Sequence, residues 1–368
     1  MNDSIESRYF VEAAAKTLDV LEAFDSFEQQ LNVTEIAQRT GMTYSSAFRL
    51  MYTLEKRGYV MRRGNAKRFS LVPPRKRCRI GYAAMDESMR FCSEVTRGMV
   101  LAARRQGVDL ILRDNEQSPP RILANVDELL EQGIQLLVEH QSNEEVTHLI
   151  SAKCHEARIP IIAVNYSIPG AYYFGGNNYL AGKMAAQFLC RFANGNLRNI
   201  ERVLILPAKG VGSTQEARVA GAYDGLSEGF PRLRKTDIEI ASPGGSVHDG
   251  YRATKELLHK SKGKKKILIA AMGDPVALGS CRAVLKMNLG ANTCIVGQGG
   301  GRDSRRYIQL GSPLRASVAY FPQTYGERIM SLALRILRGE KVQLATYTEH
   351  VVLTKAKIER YYPETGVL

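Results

Sequence analysis

The chain has 368 residues, of which 44% are hydrophobic and 24% charged, and its formal net charge at pH 7 is +14. This composition is typical of a soluble globular protein, and the length is enough for two or three domains with their own cores. No apolar run reaches the about 18 residues of a membrane-spanning helix, and the N-terminus MNDSIESRYF lacks the basic-then-apolar pattern of a secretory signal.

The six cysteines of the chain are scattered and include no CxxC pair. This spacing argues against a zinc knuckle and a disulfide framework, so we expect no metal site and a reducing, cytoplasmic location. The histidines show no metal-ligand spacing, and neither HExxH nor GxSxG is present. We therefore expect no catalytic residue, no cofactor and no enzymatic activity.

The excess of positive charge is concentrated in one short segment. Between Thr43 and Arg79, eleven Lys or Arg residues stand against Glu55 alone, so this tenth of the chain carries a net charge of +10. Clustering of this kind is typical of a surface that binds a polyanion such as nucleic acid.

The region around this segment has the pattern of several short helices. Helical spacing of apolar residues predicts a first helix at residues 10–25. A second helix is expected to have Thr34 as its N-cap and Gly41 in its left-handed C-terminal turn. Thr43 is expected to cap a third helix, which ends at Gly58. Two short helices joined by a tight glycine turn predict a helix-turn-helix.

Two alternating stretches around Gly64 and Asn65 then predict a β-hairpin, which makes the domain a winged helix-turn-helix. The first turn of a recognition helix meets base edges in the major groove, and cations of the wing contact phosphates. The expected DNA-binding residues are Thr43, Tyr44, Ser45, Ser46, Arg49, Arg62, Arg63, Lys67 and Arg68. The alternative is a solvated basic face on a small helical domain.

The segment VTEIAQRTGMTYSSAFRLMYTLEKRGYV resembles the DNA-binding domain of the IclR family of bacterial regulators. The resemblance covers roughly residues 9–72 and implies a winged helix-turn-helix that binds operator DNA. We therefore expect a DNA-binding domain at residues 1–72 and a basic, proline-containing linker at residues 73–79.

After the linker, short apolar runs alternate with amphipathic stretches, a pattern that predicts parallel sheets with helices on both faces. About 290 residues of this kind exceed what one sheet holds, so we expect an α/β domain with two lobes at residues 80–355. The predicted strands are 80–85, 110–112, 134–138, 161–164, 203–206, 238–240, 267–271, 293–296 and 316–319. The expected bounds are about 80–176 and 320–349 for lobe I, about 177–319 and 350–355 for lobe II, and 356–368 for a C-terminal tail.

Several motifs in this region resemble type I periplasmic binding proteins, such as the ribose-binding protein, and the sensor domains of LacI/GalR repressors. They include RIGYAAMDESMRF, ARIPIIAVN, STQEARVAGAYDGL and AAMGDPVALGSCRAV, in the order of that family. The resemblance implies two similar lobes joined by three crossover strands, with a ligand cleft at the carboxyl ends of the strands. An IclR-type head is normally followed by a different effector domain.

The same resemblance indicates which residues contact the ligand. They are Asp86, Phe91, Asn165, Tyr166, Asn177, Arg218, Asp274, Gln298 and Tyr320. Arg218 matches a sugar-contacting arginine of the family, whereas Asn165 and Gln298 stand where the family has aspartates. These departures argue against ribose or a common hexose and are compatible with a larger or less polar ligand.

Structural alternatives remain open for several of these residues. Phe91 could belong to the core of a lobe, Asn165 could cap a turn, and Arg218 could form an ion pair between the lobes. Asp86 could be a solvated surface charge. The sequence Gly299-Gly300-Gly301 is either a plain turn or a cradle whose backbone N–H groups hold a phosphate.

Together these features predict a cytoplasmic transcriptional regulator that acts as a homodimer. It would bind operator DNA and respond to a small-molecule effector, a sugar or polyol, in the cleft between the lobes. One alternative is an α/β enzyme that acts on a sugar phosphate and carries an accessory nucleic-acid-binding head. Another is a DNA-binding protein whose cleft has become a dimer scaffold.

Overall fold

The computed structural model of the protein describes residues 10–63, 67–72, 78–197, 199–207, 212–260 and 266–363. The chain divides into two compact units, residues 1–77 and residues 78–368. Each unit has a hydrophobic core of its own.

The first unit contains three helices and one antiparallel pair of strands. The helices are α1 (Glu12–Glu22), α2 (Val33–Thr40) and α3 (Tyr44–Lys56), and the strands are β1 (Val60–Arg63) and β2 (Arg68–Leu71). Apolar side chains from all five elements form one buried core. The helices and strands of the predicted winged helix-turn-helix are confirmed, and its Gly64-Asn65 turn lies outside the described residues.

The ends of the helices in this unit are set by capping residues. Asn32 caps α2, because its side chain accepts from the N–H of Glu35 at 2.9 Å while the Glu35 carboxylate accepts from the N–H of Asn32 at 2.8 Å. Thr34, which we expected at this cap, is an exposed residue inside the helix, so that prediction is wrong. Asparagine is the stronger cap, and the helix begins two residues earlier than expected. Gly41 (φ +66°) ends α2 and Thr43 caps α3, as predicted.

The last two residues of the expected linker belong to the second unit. Residues 73–77 lie outside the described residues, but Cys78 and Arg79 belong to the second unit. Arg79 begins β3 (Arg79–Ala84), and its Nε lies 2.9 Å from the carboxylate of Asp109. Because this ion pair joins β3 to the first residue of β4 (Asp109–Asp114), the sheet extends one residue into the expected linker.

The second unit contains two six-stranded sheets. Besides β3 and β4, the first sheet contains β5 (Leu136–Glu139), β6 (Ile161–Val164), β7 (Tyr172–Gly176) and β13 (Ala345–Thr348). Its strand order is β13-β7-β6-β5-β3-β4, and every neighbouring pair is parallel.

The second sheet has the same architecture with one antiparallel edge strand. Its strands are β8 (Arg202–Leu206), β9 (Ile238–Ile240), β10 (Ile267–Ala271), β11 (Thr293–Gly299), β12 (Leu314–Ala319) and β14 (Val351–Thr354). The order is β14-β12-β11-β10-β8-β9, and only β14 runs antiparallel to its neighbour.

Helices follow most of the strands, as parallel sheets require. They are α4 (Arg90–Gln106), α5 (Pro119–Glu131), α6 (Thr147–Glu156), α7 (Asn178–Asn196), α8 (Gly212–Gly229), α9 (Val247–Lys260), α10 (Asp274–Lys286), α11 (Arg302–Gln309), α12 (Tyr325–Leu337) and α13 (Lys355–Tyr361). Short 3-10 turns lie at Glu144–Val146, Lys235–Asp237, Gly290–Asn292 and Pro322–Thr324. No helix in the described part of the chain is both long and apolar enough to pass through a lipid bilayer.

The chain passes between the two sheets three times, after β7, after β12 and after β13. The expected two-lobed α/β fold with helices on both faces is thus confirmed. All nine strands predicted in this region are present, but β7, β13 and β14 were not predicted.

Candidate ligand-binding cleft and DNA-binding surface

A cavity of about 730 Å³ lies where the carboxyl ends of strands from both sheets meet. The first sheet contributes His140 after β5 and Asn165 after β6, and the second contributes Met272 after β10, Gln298 in β11 and Tyr320 after β12. Sites for small molecules usually measure about 300–1,000 Å³, and in parallel sheets they lie at this edge. The cavity is therefore the candidate ligand site.

Seven of the nine expected ligand-binding residues line this cavity. They are Phe91, Asn165, Tyr166, Arg218, Asp274, Gln298 and Tyr320. Asp86 and Asn177 do not line it. The Asp86 carboxylate accepts from Ser88 Oγ at 2.5 Å and from Gln117 Nε2 at 2.7 Å, and Asn177 caps α7 by accepting from the Leu180 N–H at 3.0 Å. Both side chains are used locally, so we leave them out of the candidate site.

Arg218 lies on α8 and is held in place by three contacts. Its Nε donates to Asn178 Oδ1 at 2.7 Å, and its Nη1 donates to the Met272 carbonyl at 2.9 Å. Its guanidinium carbon lies 5.0 Å from the centre of the Tyr320 ring. No carboxylate among the described residues pairs with Arg218, so its other N–H groups can donate to a ligand.

Tyr320 and Gln298 form an uncharged wall of the cavity. The Tyr320 hydroxyl donates to Gln298 Oε1 at 2.7 Å, and Gln298 Nε2 lies 3.3 Å from Met272 Sδ. His350 meets the Tyr320 ring edge-on at 4.7 Å. Burial raises the pKa of Tyr320, so its hydroxyl stays protonated at neutral pH. The wall offers aromatic surface and amide or hydroxyl groups instead of the expected carboxylate.

Asp274 fixes the glycine turn that follows β11. Its Oδ1 accepts from Ser317 Oγ at 2.7 Å, and its Oδ2 accepts from the Gly301 N–H at 2.6 Å. The Gly300 N–H donates to Ser317 Oγ at 3.0 Å. Burial raises the pKa of Asp274, although these hydrogen bonds oppose the rise. Because the Gly300 and Gly301 N–H groups already have acceptors, the phosphate cradle is not supported and the plain turn is.

Asn165 and Phe91 share two neighbours at the first sheet, Tyr325 and His140. Asn165 adopts φ +64°, with its Oδ1 3.4 Å from the Tyr325 hydroxyl and its Nδ2 3.5 Å from His140 Nε2. Phe91 contacts the rings of Tyr325 and His140 edge-on at 5.6 and 6.2 Å. Phe91 is half-buried against the cores of both sheets and also lines the cavity, so it combines the two roles considered for it.

Many other residues of the cavity were not expected, among them His140, Arg305 and Tyr362. His140 is 1% exposed, and its Nδ1 has no hydrogen-bond partner among the described residues. Burial lowers its pKa to about 4, so the imidazole is neutral at pH 7. Its position directly after the short strand LLVE was an available signal, because the carboxyl ends of strands line clefts.

The helix expected to recognise DNA is α3 of the first unit. Tyr44, Ser45, Ser46 and Arg49 are exposed on the first two turns of α3. Thr43 serves as the cap, its Oγ1 accepting from the Ser46 N–H at 3.3 Å. Arg49 forms no ion pair with a described carboxylate, so its guanidinium remains available for phosphate or base contacts.

The wing cations differ in their contacts. Arg62 pairs with Glu55 at 3.0 Å, and Arg63 and Lys67 are exposed. Arg68 donates to both carboxylate oxygens of Glu35 at 3.2 and 3.3 Å and to the Gln30 carbonyl at 2.8 Å. Arg68 therefore ties β2 to α2, and we leave it out of the candidate DNA-binding surface.

Residues 80–341 match the family model of the periplasmic binding protein domain. The chain belongs to the periplasmic binding protein domain family. Ahead of this domain, residues 13–64 match the model of the IclR helix-turn-helix domain. Both resemblances found in the sequence are thereby confirmed. Neither type of domain is enzymatic, so the alternative of an enzyme is not supported. A periplasmic binding protein domain that follows a helix-turn-helix domain indicates a regulator.

Curated relatives match each part of the chain. The ribose import binding protein of Salmonella typhimurium is 25% identical over 248 residues, which cover 66% of this chain and 78% of that protein. The p-hydroxybenzoate hydroxylase transcriptional activator of Acinetobacter baylyi is 39% identical over 59 residues, which cover 16% of this chain and 22% of that protein.

Solved structures share the fold of the periplasmic binding protein domain. The Caulobacter myo-inositol binding protein bound to myo-inositol has a TM-score of 0.68 at 18% identity, covering 79% of this chain and 98% of that one. A periplasmic solute binding protein from Actinobacillus succinogenes with bound D-allose has a TM-score of 0.67 at 18% identity, covering 77% and 99%. These likenesses show the two-lobed architecture.

Proposed function

We propose that the protein is a cytoplasmic regulator that binds operator DNA as a homodimer and responds to a sugar or polyol in its cleft. The observation that carries this proposal is the cavity of about 730 Å³ beside Arg218, in a chain that also has a helix-turn-helix domain. The names of the relatives support the ligand class, since ribose, D-allose and myo-inositol are all polyhydroxylated. The size of the cavity favours a ligand-binding role over the alternative of a dimer scaffold.

The cleft is suited to report ligand binding because both halves of the domain contribute to it. Glu144 follows β5 of the first sheet, and its carboxylate accepts from the N–H and Oγ of Ser213 on α8 at 2.8 and 2.7 Å. A ligand that binds more tightly to the domain with its two halves in contact than to the domain with its halves apart favours the first state. It can shift this equilibrium only by the difference between its affinities for the two states. In a dimer, such a change alters the spacing of two recognition helices, which must match half-sites about 34 Å apart.

Arg49→Ala tests the DNA-binding part of the proposal. An operator is first selected from random duplexes with the full-length protein, and dissociation constants are then measured by fluorescence anisotropy for the operator and for a scrambled duplex. We expect the substitution to weaken operator binding by about 1–3 kcal/mol and to reduce the preference over the scrambled duplex. The reason is that Arg49 lies on the exposed N-terminal half of α3, where a recognition helix meets bases.

The matched control is Arg57→Ala, which removes the same charge from the C-terminal end of the same helix. It should change affinity for the two duplexes to a similar, small extent, since a distant cation contributes sequence-independent attraction. Operator binding by Arg49→Ala that equals the unsubstituted protein would contradict the placement of this helix in the groove.

A further inference from the structure

The cleft contains a buried guanidinium that forms no ion pair with a carboxylate of the described residues. Arg305, on α11, is 8% exposed and lines the cavity. Its Nη1 donates to the Gly300 carbonyl at 2.5 Å, and its guanidinium carbon lies 3.7 Å from the centre of the Tyr362 ring. Among the described residues, nothing accepts from its buried Nε, and no carboxylate oxygen lies within the 4.0 Å of an ion pair.

The acidic side chains around the cavity do not form an ion pair with Arg305. Glu94 pairs with Arg90 at 3.1 Å. Both oxygens of Asp274 accept hydrogen bonds from the protein, and Asp303 is exposed at the surface of α11. Of the described acids that line the cavity, none forms an ion pair with Arg305.

The other charges around the cavity act on Arg305 with both signs. Arg218 is a further guanidinium of the cavity without an ion pair among the described residues. Burial lowers the pKa of His350 and the charge of Arg218 adds to this, while in Tyr166 the same charge opposes the rise that burial causes in the pKa. Burial is the largest cause of the lowered pKa of Arg305, and the like charge of Arg90 adds to it, whereas Tyr362, Glu94 and Asp274 oppose it. A buried cation in such surroundings is unfavourable unless an anion accompanies it.

We propose that the ligand of the cleft is a polyhydroxylated molecule that carries an anionic group, a carboxylate or a phosphate, and that Arg305 binds this group. Arg218 then donates to the hydroxyl groups of the same molecule. A guanidinium binds either anion through two parallel N–H groups, so this chemistry covers sugar acids and sugar phosphates. The inference rests on the proposed function, because it assumes that the cavity is the effector site.

The test compares matched ligands on the full-length protein by thermal shift and calorimetry. Three sets are used: ribose, ribonate and ribose 5-phosphate; glucose, gluconate and glucose 6-phosphate; and myo-inositol with myo-inositol 1-phosphate. We expect an anionic member of at least one set to stabilise the protein and to bind about tenfold or more tightly than its neutral parent, as charged hydrogen bonds allow. Whether the carboxylate or the phosphate member of a set binds more tightly identifies which anionic group the ligand carries.

Two variants assign the effect to Arg305. Arg305→Gln should remove the preference for the anionic member, and Arg305→Lys should retain part of it. The control, Arg306→Gln, removes the neighbouring exposed charge from the same helix outside the cavity and should leave the preference intact. Because the comparison of ligands on the unsubstituted protein stands alone, the proposal stays testable even if a variant does not fold.

The outcomes separate this inference from the proposed function. If a neutral parent binds as tightly as its acid and phosphate, or more tightly, the inference is overturned while the proposed function stands. If no member of any set binds, both are overturned. A preference for the anionic member that Arg306→Gln removes and Arg305→Gln does not would overturn the role of Arg305.

Discussion

Gly182→Ala will lower the free energy of unfolding of the second unit by about 3 kcal/mol, the upper range for overpacked cores. A Cβ at Gly182 on α7 would lie 1.9 Å from the carbonyl oxygen of Arg218 on α8. The approach is reciprocal, since a Cβ at Gly221 would lie 1.9 Å from the carbonyl oxygen of Tyr179. Backbone atoms cannot turn aside as a side chain can, so the two helices must separate.

The same helix provides the control for this prediction. A Cβ at Gly195 near the end of α7 would meet no atom within 4 Å, so Gly195→Ala should be neutral or stabilising by up to about 1 kcal/mol through helix propensity. Urea unfolding of the three proteins measures the difference. Equal free energies of unfolding for Gly182→Ala and Gly195→Ala would show that α7 and α8 do not pack as closely as described.

The free energy of unfolding should also decrease as the pH rises from 6.5 to 8, because of Glu139. Its carboxyl group is 1% exposed, with Oε1 accepting from Asn115 Nδ2 at 2.8 Å and no described partner for Oε2. Burial raises its pKa from 4.5 to about 8, whereas burial lowers the pKa of the adjacent His140 from 6.5 to about 4.

The two groups act with opposite sign. Above pH 4.5 the unfolded chain releases the Glu139 proton that the folded protein retains, so rising pH destabilises the fold up to about pH 8. His140 stabilises the fold as pH rises from about 4 to 6.5, because the unfolded chain then loses its extra proton. Between pH 4.5 and 6.5 the two contributions to the pH dependence of the free energy of unfolding nearly cancel. Above 6.5 only Glu139 acts, at about 1.4 kcal/mol per pH unit, which amounts to about 2 kcal/mol by pH 8.

Glu139→Gln should abolish this decline and stabilise the protein at pH 8. The amide keeps an oxygen for Asn115 and carries no charge to bury. Free energies of unfolding from urea titrations at pH 6, 7 and 8 make the comparison, with the exposed Glu156→Gln as control. A stability profile of the unsubstituted protein that stays level from pH 6.5 to 8 would contradict the buried, protonated state of Glu139.

Much of the fold was predictable from the sequence because its signals are local. The tight turn at Gly41 and the cap at Thr43 depend on neighbouring residues, and the central strands are continuous apolar runs. Strands β7 and β13 escaped prediction since their pairing supplies what their composition does not, whereas β14 is the apolar run VVLT and was simply missed. Tyr172–Gly176 ends in two glycines, and Ala345–Thr348 is an only partly buried edge strand.

The cleft was predictable in part, for a different physical reason. Residues that follow strands, such as Asn165 and Tyr320, lie in the cleft because strand ends define it. Asp86 and Asn177 have equally suitable positions in the chain, but nearby groups bind their side chains. Arg305 lines the cavity through packing on Tyr362, which is far away in sequence, and no local pattern reports such packing.

The coupling between cleft and operator is tested most directly by one titration. The full-length protein is bound to its selected operator, the ligand that gives the largest thermal shift is added to saturation, and anisotropy reports the dissociation constant for DNA. We predict a change of about 5- to 150-fold on the operator and little change on the scrambled duplex, the usual range for linked sites. An operator affinity that is the same with the cleft empty and saturated would contradict a ligand-responsive regulator.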